Sequence, residues 1–129
     1  MEFQQHEEEH RRIFQQHLSQ IGVRRCVSYH LAAVGGFGLG FVTGLIGPSA
    51  IAATTFAVEH VVLRHLEEQL AYLRTAAPDA RDCVGRIYDD EREHHDAAES
   101  RLARDGWLTR LLIAVVQFST EMVIRIGMR

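Results

Sequence analysis

The residues best suited to metal chemistry in this 129-residue chain are two Glu-x-x-His pairs. Glu7 is followed by His10, and Glu91 is followed by His94. In a helix this spacing places both side chains of a pair on one face, one turn apart. Carboxylates and imidazoles with no thiolate beside them favour iron or manganese over structural zinc. The pairs indicate a metal site, but their number alone is weak support, because 11 Glu and 8 His give about 0.7 pairs by chance.

Helical periodicity gives stronger support, because a buried stripe recurs at steps of three and four residues. The stripe of the fourth predicted helix comprises Ala80, Val84, Ile87, Glu91, His94, Ala98 and Leu102. The stripe of the third comprises Ala52, Phe56, Glu59, Val62 or Leu63, Leu66, Leu70 and Leu73. The stripe of the first comprises Phe3, Glu7, His10, Phe14, Leu18 and Ile21. Glutamate or histidine thus replaces apolar residues on all three stripes.

A lone buried carboxylate costs several kcal/mol, so it must be protonated, paired or bound to a metal. Three glutamates and two histidines on three inward stripes point to one shared site. Ferritin-like di-iron bundles take Glu-x-x-His from two helices and a single Glu from each of two others. The candidate metal ligands are therefore Glu7, His10, Glu59, Glu91 and His94.

The elements that must position these residues are all α-helical. Helices are predicted over residues 2–20, 28–46, 49–74, 79–104 and 107–127. Gly22, Gly47-Pro48 and Gly106 serve as the stop signals. No period-two alternation competes with this pattern. The length suits one domain, residues 1–129.

Composition excludes some classes of function. A formal net charge of −3 argues against a protein that binds nucleic acid by neutralising phosphates. The two cysteines, Cys26 and Cys83, form no Cys-x-x-Cys motif and suit a reducing compartment. The acidic start of the chain, residues 1–9, is unlike a signal or transit peptide.

A run free of Asp, Glu and Arg extends from Cys26 to Val58 and contains six of the ten glycines. It exceeds the roughly 20 residues that span a bilayer, but Gly47-Pro48 divides it into pieces near or below spanning length. Three arrangements fit: a transmembrane helix, a buried hairpin, or an apolar surface dipping into one leaflet. The division favours a buried hairpin or an apolar surface in one leaflet over a transmembrane helix.

The sequence resembles the demethoxyubiquinone hydroxylase family, the di-iron monooxygenases of ubiquinone biosynthesis, over essentially its whole length. The most specific segments are Ala57-Val58-Glu59 and Asp90-Glu91-Arg92-Glu93-His94-His95-Asp96. Residues 39–47 resemble the family's Gly-rich hairpin, and Glu7-x-x-His10 followed by Phe14 resembles its first Glu-x-x-His helix. The resemblance selects the same five ligands as periodicity, and both choose His94 over His95.

The resemblance implies a monooxygenase that hydroxylates a demethoxyubiquinol-type polyprenyl quinol, using dioxygen and either NADH or a quinol-derived reductant. Glu59 and Glu91 would be the catalytic carboxylates that bridge two iron ions, with His10 and His94 as capping ligands. His65, six residues after Glu59, is a weak candidate for lining the substrate site, and a surface or half-buried histidine fits its position better.

The substrate's long tail implies peripheral association with a membrane, at the cytoplasmic face of a bacterial cell membrane. The Gly-rich hairpin and the helix over residues 107–126 would lie in the membrane surface. Arg110, Arg125 and Arg129 would then meet lipid head groups, although a solvated face suits them equally.

One feature of the family has no counterpart in the sequence. The family has an earlier helix whose Glu supplies a sixth ligand, whereas this chain starts inside the second ligand helix. Three carboxylates leave two ferrous ions with a net charge of about +1 and an open side. A second copy in a homo-oligomer or another chain that supplies the missing helix would fill the groove, or nothing would if the chain is a fragment. Other ubiquinone-biosynthesis proteins are further expected partners. The alternatives are a non-catalytic remnant or interaction bundle, and a ferritin-like iron binder without oxygenase activity.

Overall fold

The computed structural model describes residues 2–20, 22, 28–102 and 106–127, with side chains except at 2–7, 28, 29, 31, 79 and 127. These residues form five α-helices and no strand, which confirms the all-α prediction. The helices are α1 (Glu2–Gln20), α2 (Ser28–Ile46), α3 (Pro48–Ala76), α4 (Pro78–Ser100) and α5 (Trp107–Gly127).

The bounds of α1, α2 and α5 agree with the prediction, while those of α3 and α4 differ. Pro48 and Pro78 are the first residues of their helices, since a proline there lacks only an N–H that would have no helical acceptor. The prediction that α4 reaches Arg104 was wrong, because the helix ends at Ser100. The amides of Arg101 and Leu102 donate to the carbonyls three residues earlier, and the Ser100 hydroxyl donates to the Ala97 carbonyl. These shorter-range bonds use carbonyls that a continuing helix would need.

Gly47 alone joins α2 to α3, which confirms the predicted break in the apolar run. Its φ of +122° is a conformation that residues with a side chain rarely adopt. Its amide donates to the Thr43 carbonyl, and its own carbonyl accepts from the amides of Ala50 and Ile51. The end of one helix and the start of the next are therefore both hydrogen-bonded through this residue.

The chain contains two compact units, each built from separated segments. The first comprises Met1–Arg25 and Val62–Glu93, and the second comprises Cys26–Val61 and His94–Arg129. Helices α3 and α4 contribute residues to both, so the division yields no contiguous domains. The single-domain organisation stays a prediction.

The first unit has a core of large apolar side chains from α3 and α4. Leu66, Val84 and Ile87 are buried, and half-buried Leu70 and Leu73 pack against them. All five lie on the stripes predicted for α3 and α4. Beside this core, the Tyr88 hydroxyl donates to a carboxylate oxygen of Glu67 at 2.8 Å. This bond stabilises the neutral phenol and holds the pKa of Tyr88 above its usual value.

The second unit buries small residues and exposes large apolar ones. Its buried hydrophobic residues are Ala50, Ala52, Ala53, Ala57, Val61, Ala98 and Val116. Helix α2 packs against α5. Apolar side chains of both helices are nevertheless exposed, among them Val34, Phe37, Phe41 and Leu45 on α2 and Leu111, Val115, Phe118 and Met122 on α5.

Helix α5 is the one described helix long and apolar enough to cross a membrane, judged by length and composition only. The qualifying segment is Trp107–Ile126, and 6% of its most apolar window is buried within the structure. Ala32–Ile46 of α2 is a shorter apolar helix.

Candidate metal centre

His10 connects α1 to α4 within the first unit. It is 5% exposed, and both of its ring nitrogens face carboxylates of α4. Nε2 lies 2.9 Å from Oδ2 of Asp90, and Nδ1 lies 3.3 Å from Oε1 of Glu91. Nε2–H donating to Asp90 would leave Nδ1 as the nitrogen able to bind a metal beside Glu91. This is the way that metal-binding histidines are usually oriented by a carboxylate.

Glu91 and His94 form the most buried part of the site, one turn apart on α4. Glu91 is 6% exposed and His94 is 2% exposed. Each offers a ligand atom within 4.8 Å of the other's. Helix geometry alone produces this proximity, because residues three apart share a face.

Glu59 approaches His94 from α3 within the second unit. It is half-buried, and it offers a ligand atom within 4.8 Å of one on His94. Ala57 and Ala53, which precede it on α3, have no exposed surface. Such small buried residues allow neighbouring elements to approach the helix closely.

The two adjacent histidines of α4 have different surroundings. His95 is half-buried, and its ring centroid lies 4.7 Å from that of Phe56 and 5.9 Å from that of His60. Its Nδ1 lies 3.1 Å from Oδ1 of Asp96. His95, Asp96 and Glu99 form a second group with ligand atoms within 4.8 Å of one another. His94 is the histidine with a ligand atom within 4.8 Å of one on Glu59. The choice of His94 over His95 stays a prediction.

The two remaining predicted site residues are Glu7 and His65. Glu7 lies on α1, one turn before His10, but its side chain is outside the described residues. His65 is half-buried on α3, with Nδ1 3.8 Å from Oε2 of Glu68. It belongs to neither of the possible metal-binding groups found among the described residues. Its role in lining a substrate site stays a prediction.

Sequence reasoning missed two features of the site. Asp90, whose carboxylate faces His10, is predicted from the sequence only as part of the segment from Asp90 to Asp96, with no role of its own. A search for a carboxylate to orient each ligand histidine would have drawn attention to it. Periodicity also does not find the group of His95, Asp96 and Glu99, because these residues lie off the predicted α4 stripe.

The residues present fit a metal ion. The two carboxylates of Glu59 and Glu91 and the two imidazoles of His10 and His94 supply only oxygen and nitrogen ligands. This donor set suits iron or manganese. A cation would also offset the cost of burying the Glu91 carboxylate at 6% exposure.

Residues 1–127 match the family described as Ubiquinone biosynthesis protein COQ7. The chain belongs to the COQ7 family. The resemblance stated from the sequence is thereby confirmed. No solved structure matches the chain.

Several curated relatives of this COQ7-family chain share one name, NADPH-dependent 3-demethoxyubiquinone 3-hydroxylase, mitochondrial. The Dictyostelium discoideum protein is 37% identical over 100 residues, which cover 70% of this chain and 46% of the relative. The Mus musculus and Homo sapiens proteins are each 28% identical over 127 residues, covering 95% of this chain and 58% of each relative. The chain therefore spans about half the length of the curated relatives it matches.

We predict that Glu59→Ala removes a ligand and abolishes iron loading. The measurement is iron per chain after anaerobic reconstitution with ferrous ion and desalting. Glu68→Ala is the matched control, because it removes a carboxylate from the same helix whose side chain is 70% exposed. Iron loading of Glu59→Ala equal to that of Glu68→Ala would contradict the assignment of Glu59.

We also predict that Asp90→Asn lowers iron affinity by about 10- to 100-fold without unfolding the protein. The amide keeps the size of the side chain but loses the charge that orients the imidazole of His10. Competition with a ferrous chelator measures the affinity, and circular dichroism checks the fold. Asp89→Asn is the control, because Asp89 is an exposed neighbour on α4. Equal affinities of the two variants would show that Asp90 does not orient a ligand.

Proposed function

We propose that this chain hydroxylates the ring of a demethoxyubiquinol-type polyprenyl quinol as a di-iron monooxygenase of ubiquinone biosynthesis. The observation that carries this proposal is the buried Glu91–His94 pair of α4, which has His10 beside Glu91 and Glu59 beside His94. The family and the name of its relatives supply the reaction.

Iron bound by Glu59, Glu91, His10 and His94 would supply the activation of dioxygen, and Glu7 is the further ligand that the sequence predicts. Reducing equivalents would come from a nicotinamide cofactor, since the relatives are named NADPH-dependent, where the sequence analysis expected NADH or a quinol-derived reductant.

The chain's own residues orient and protect the reaction site. Asp90 would accept from Nε2–H of His10 and thereby leave Nδ1 to face the metal. His94 and Glu91 are shielded from water, so electrostatic interactions with a bound cation would be stronger there than at the surface.

The test is turnover by the full chain reconstituted with ferrous ion. We expect about two irons per active unit and conversion of demethoxyubiquinol to its hydroxylated product with NADPH and dioxygen. Mass spectrometry with isotopically labelled dioxygen should show that the new hydroxyl oxygen comes from dioxygen. Glu59→Ala should abolish the product, whereas Glu68→Ala should retain it.

Two outcomes would contradict this function. Tight binding of iron without hydroxylated product would favour an iron-binding protein without oxygenase activity. Less than one iron per chain and no product would favour a non-catalytic bundle. Iron content and product are measured on the same samples, so the two outcomes are separable.

We further propose that the protein associates peripherally with the cytoplasmic face of a bacterial cell membrane through α2 and α5. This proposal rests on the exposed apolar side chains of these helices, which include Phe37 (78% exposed) and Phe118 (69% exposed). Contiguous apolar surface of this kind is characteristic of protein or membrane interfaces. Arg125 in the last turn of α5 would meet lipid head groups. Arg129 lies outside the described residues.

We predict that Phe118→Asn lowers binding to vesicles of phosphatidylcholine and phosphatidylglycerol by about tenfold or more. Burying a phenylalanine side chain in an apolar phase is worth about 1.5–3 kcal/mol. Co-sedimentation with the vesicles measures the binding. Tyr72→Asn is the control, because Tyr72 is 71% exposed but belongs to the first unit. Equal binding by both variants, or resistance of the bound protein to alkaline carbonate, would contradict a peripheral contact through α5.

A further inference from the structure

A cavity of about 290 Å³ lies within the second unit, where the end of α4 meets the start of α5. Its walls are formed by Phe56, Glu99, Leu102, Thr109, Arg110 and Ile113. None of these residues is a predicted metal ligand, although Glu99 belongs to the group it forms with His95 and Asp96. The volume is near the lower end of the range for small-molecule sites, about 300–1,000 Å³.

The cavity is adjacent to the metal ligands along both helices that carry them. Phe56 precedes Glu59 by one turn on α3, which is about 4.5 Å along the helix axis. Glu99 follows His95 by four residues and shares its face of α4, whereas His94 is about 7.5 Å away along the axis and about 140° around the helix. Glu59, His94 and the cavity all belong to the second unit. A ring held in this cavity would therefore lie about one turn from Glu59 along α3 and on the His95 side of α4.

The chemistry of the walls suits an aromatic ring that carries oxygen substituents. Phe56, Leu102 and Ile113 give an apolar surface on which a ring can pack. The Arg110 guanidinium can only donate hydrogen bonds, and the Thr109 hydroxyl can donate or accept. Glu99 contributes a carboxylate, which accepts from a phenolic hydroxyl. The cavity is too small to bury a whole dinucleotide.

We propose that this cavity binds the oxygen-bearing ring of the quinone substrate, with Arg110 donating to a ring oxygen. The proposal rests on the proposed function, since it identifies the ring site for the same reaction. It also gives Arg110 a role other than the contact with lipid head groups that the sequence suggested. The polyprenyl tail leaves the cavity across the exposed apolar side chains of α5, which include Leu111 and Val115.

Arg110 would then determine which ring is accepted. Because its guanidinium can only donate hydrogen bonds, Arg110 favours a ring that places a carbonyl, hydroxyl or ether oxygen beside it. A ring that carries a methyl group at that position offers Arg110 no hydrogen-bond acceptor. Because Arg110 is exposed, water can replace a missing ring oxygen, so we expect discrimination of about tenfold and not the stronger selection of a buried donor. Arg110→Met keeps a long side chain but removes this selection.

Binding can be measured without turnover, because Trp107 is the only tryptophan in the chain and lies one turn before Arg110. A tail-free 2-methoxy-5-methyl-1,4-benzoquinone, which lacks the second methoxy group as the proposed substrate does, is titrated into the full chain, and quenching of tryptophan fluorescence gives the dissociation constant. We expect Arg110→Met to weaken binding about tenfold or more, as loss of a hydrogen bond from a charged donor should. Arg74→Met is the matched control, because Arg74 is an exposed arginine of the first unit.

A second variant tests the cavity itself. Ile113→Phe fills the space that the ring would occupy, so it should weaken quinone binding even with Arg110 intact. Circular dichroism and iron content are measured for each variant, and both should match the unsubstituted chain. Loss of quinone binding with unchanged fold and iron content supports the proposal.

The proposal would be overturned if Arg110→Met and Ile113→Phe bound the quinone as tightly as Arg74→Met does. It would also be overturned if these variants lost affinity for NADPH while quinone binding was unchanged, because the cavity would then hold the nicotinamide ring. Either result can occur with normal iron content and turnover, which would leave the proposed function standing. Conversely, a chain that never loads iron would refute the hydroxylase function, while quinone binding still tested the cavity.

Discussion

The rest of the structure depends on how the buried carboxylate of Glu91, in the middle of α4, is stabilised. Glu91 and His94 are almost fully enclosed, and an ionised carboxylate in such a place costs several kcal/mol unless donors or a cation compensate. His10 supplies part of this compensation from α1, and it is itself oriented by Asp90. Positions that could have held apolar core residues are thus occupied by polar side chains that can pair with one another or bind a metal.

Helical periodicity identified much of this arrangement because it reports which residues face inward. Glu91, His94 and His10 are buried as their stripes required, and so are Val84 and Ile87. Periodicity could not find Asp90, since that residue lies beside the stripe and matters only through a neighbour 80 positions away. It also gave the wrong end for α4, because the bonds that stop the helix involve the Ser100 hydroxyl and local carbonyls. Phe14 lies on the predicted α1 stripe yet is 39% exposed.

The two units differ in whether their large apolar side chains are buried or exposed. The first buries Leu66, Val84 and Ile87 and is an ordinary core of large side chains. The second buries alanines, while phenylalanines and leucines of α2 and α5 are exposed. In water this exposure is unfavourable by about 25 cal/mol for each Å² of apolar surface, so it suits a chain whose second unit meets an apolar phase. A total hydrophobic content of 47% does not distinguish these two uses.

The early end of α4 links the metal ligands to the neighbouring cavity. Within the helix, the rise per residue fixes the separation between His94 and Glu99. Beyond Ser100 the chain leaves the helix, and Leu102 can turn toward Thr109 and Ile113 of α5 instead of continuing the stripe. Had α4 continued to Arg104, Leu102 would have remained on the helical face shared with Ala98. The hydrogen bonds that stop α4 therefore determine both where the ligand helix ends and how the cavity beside it is closed.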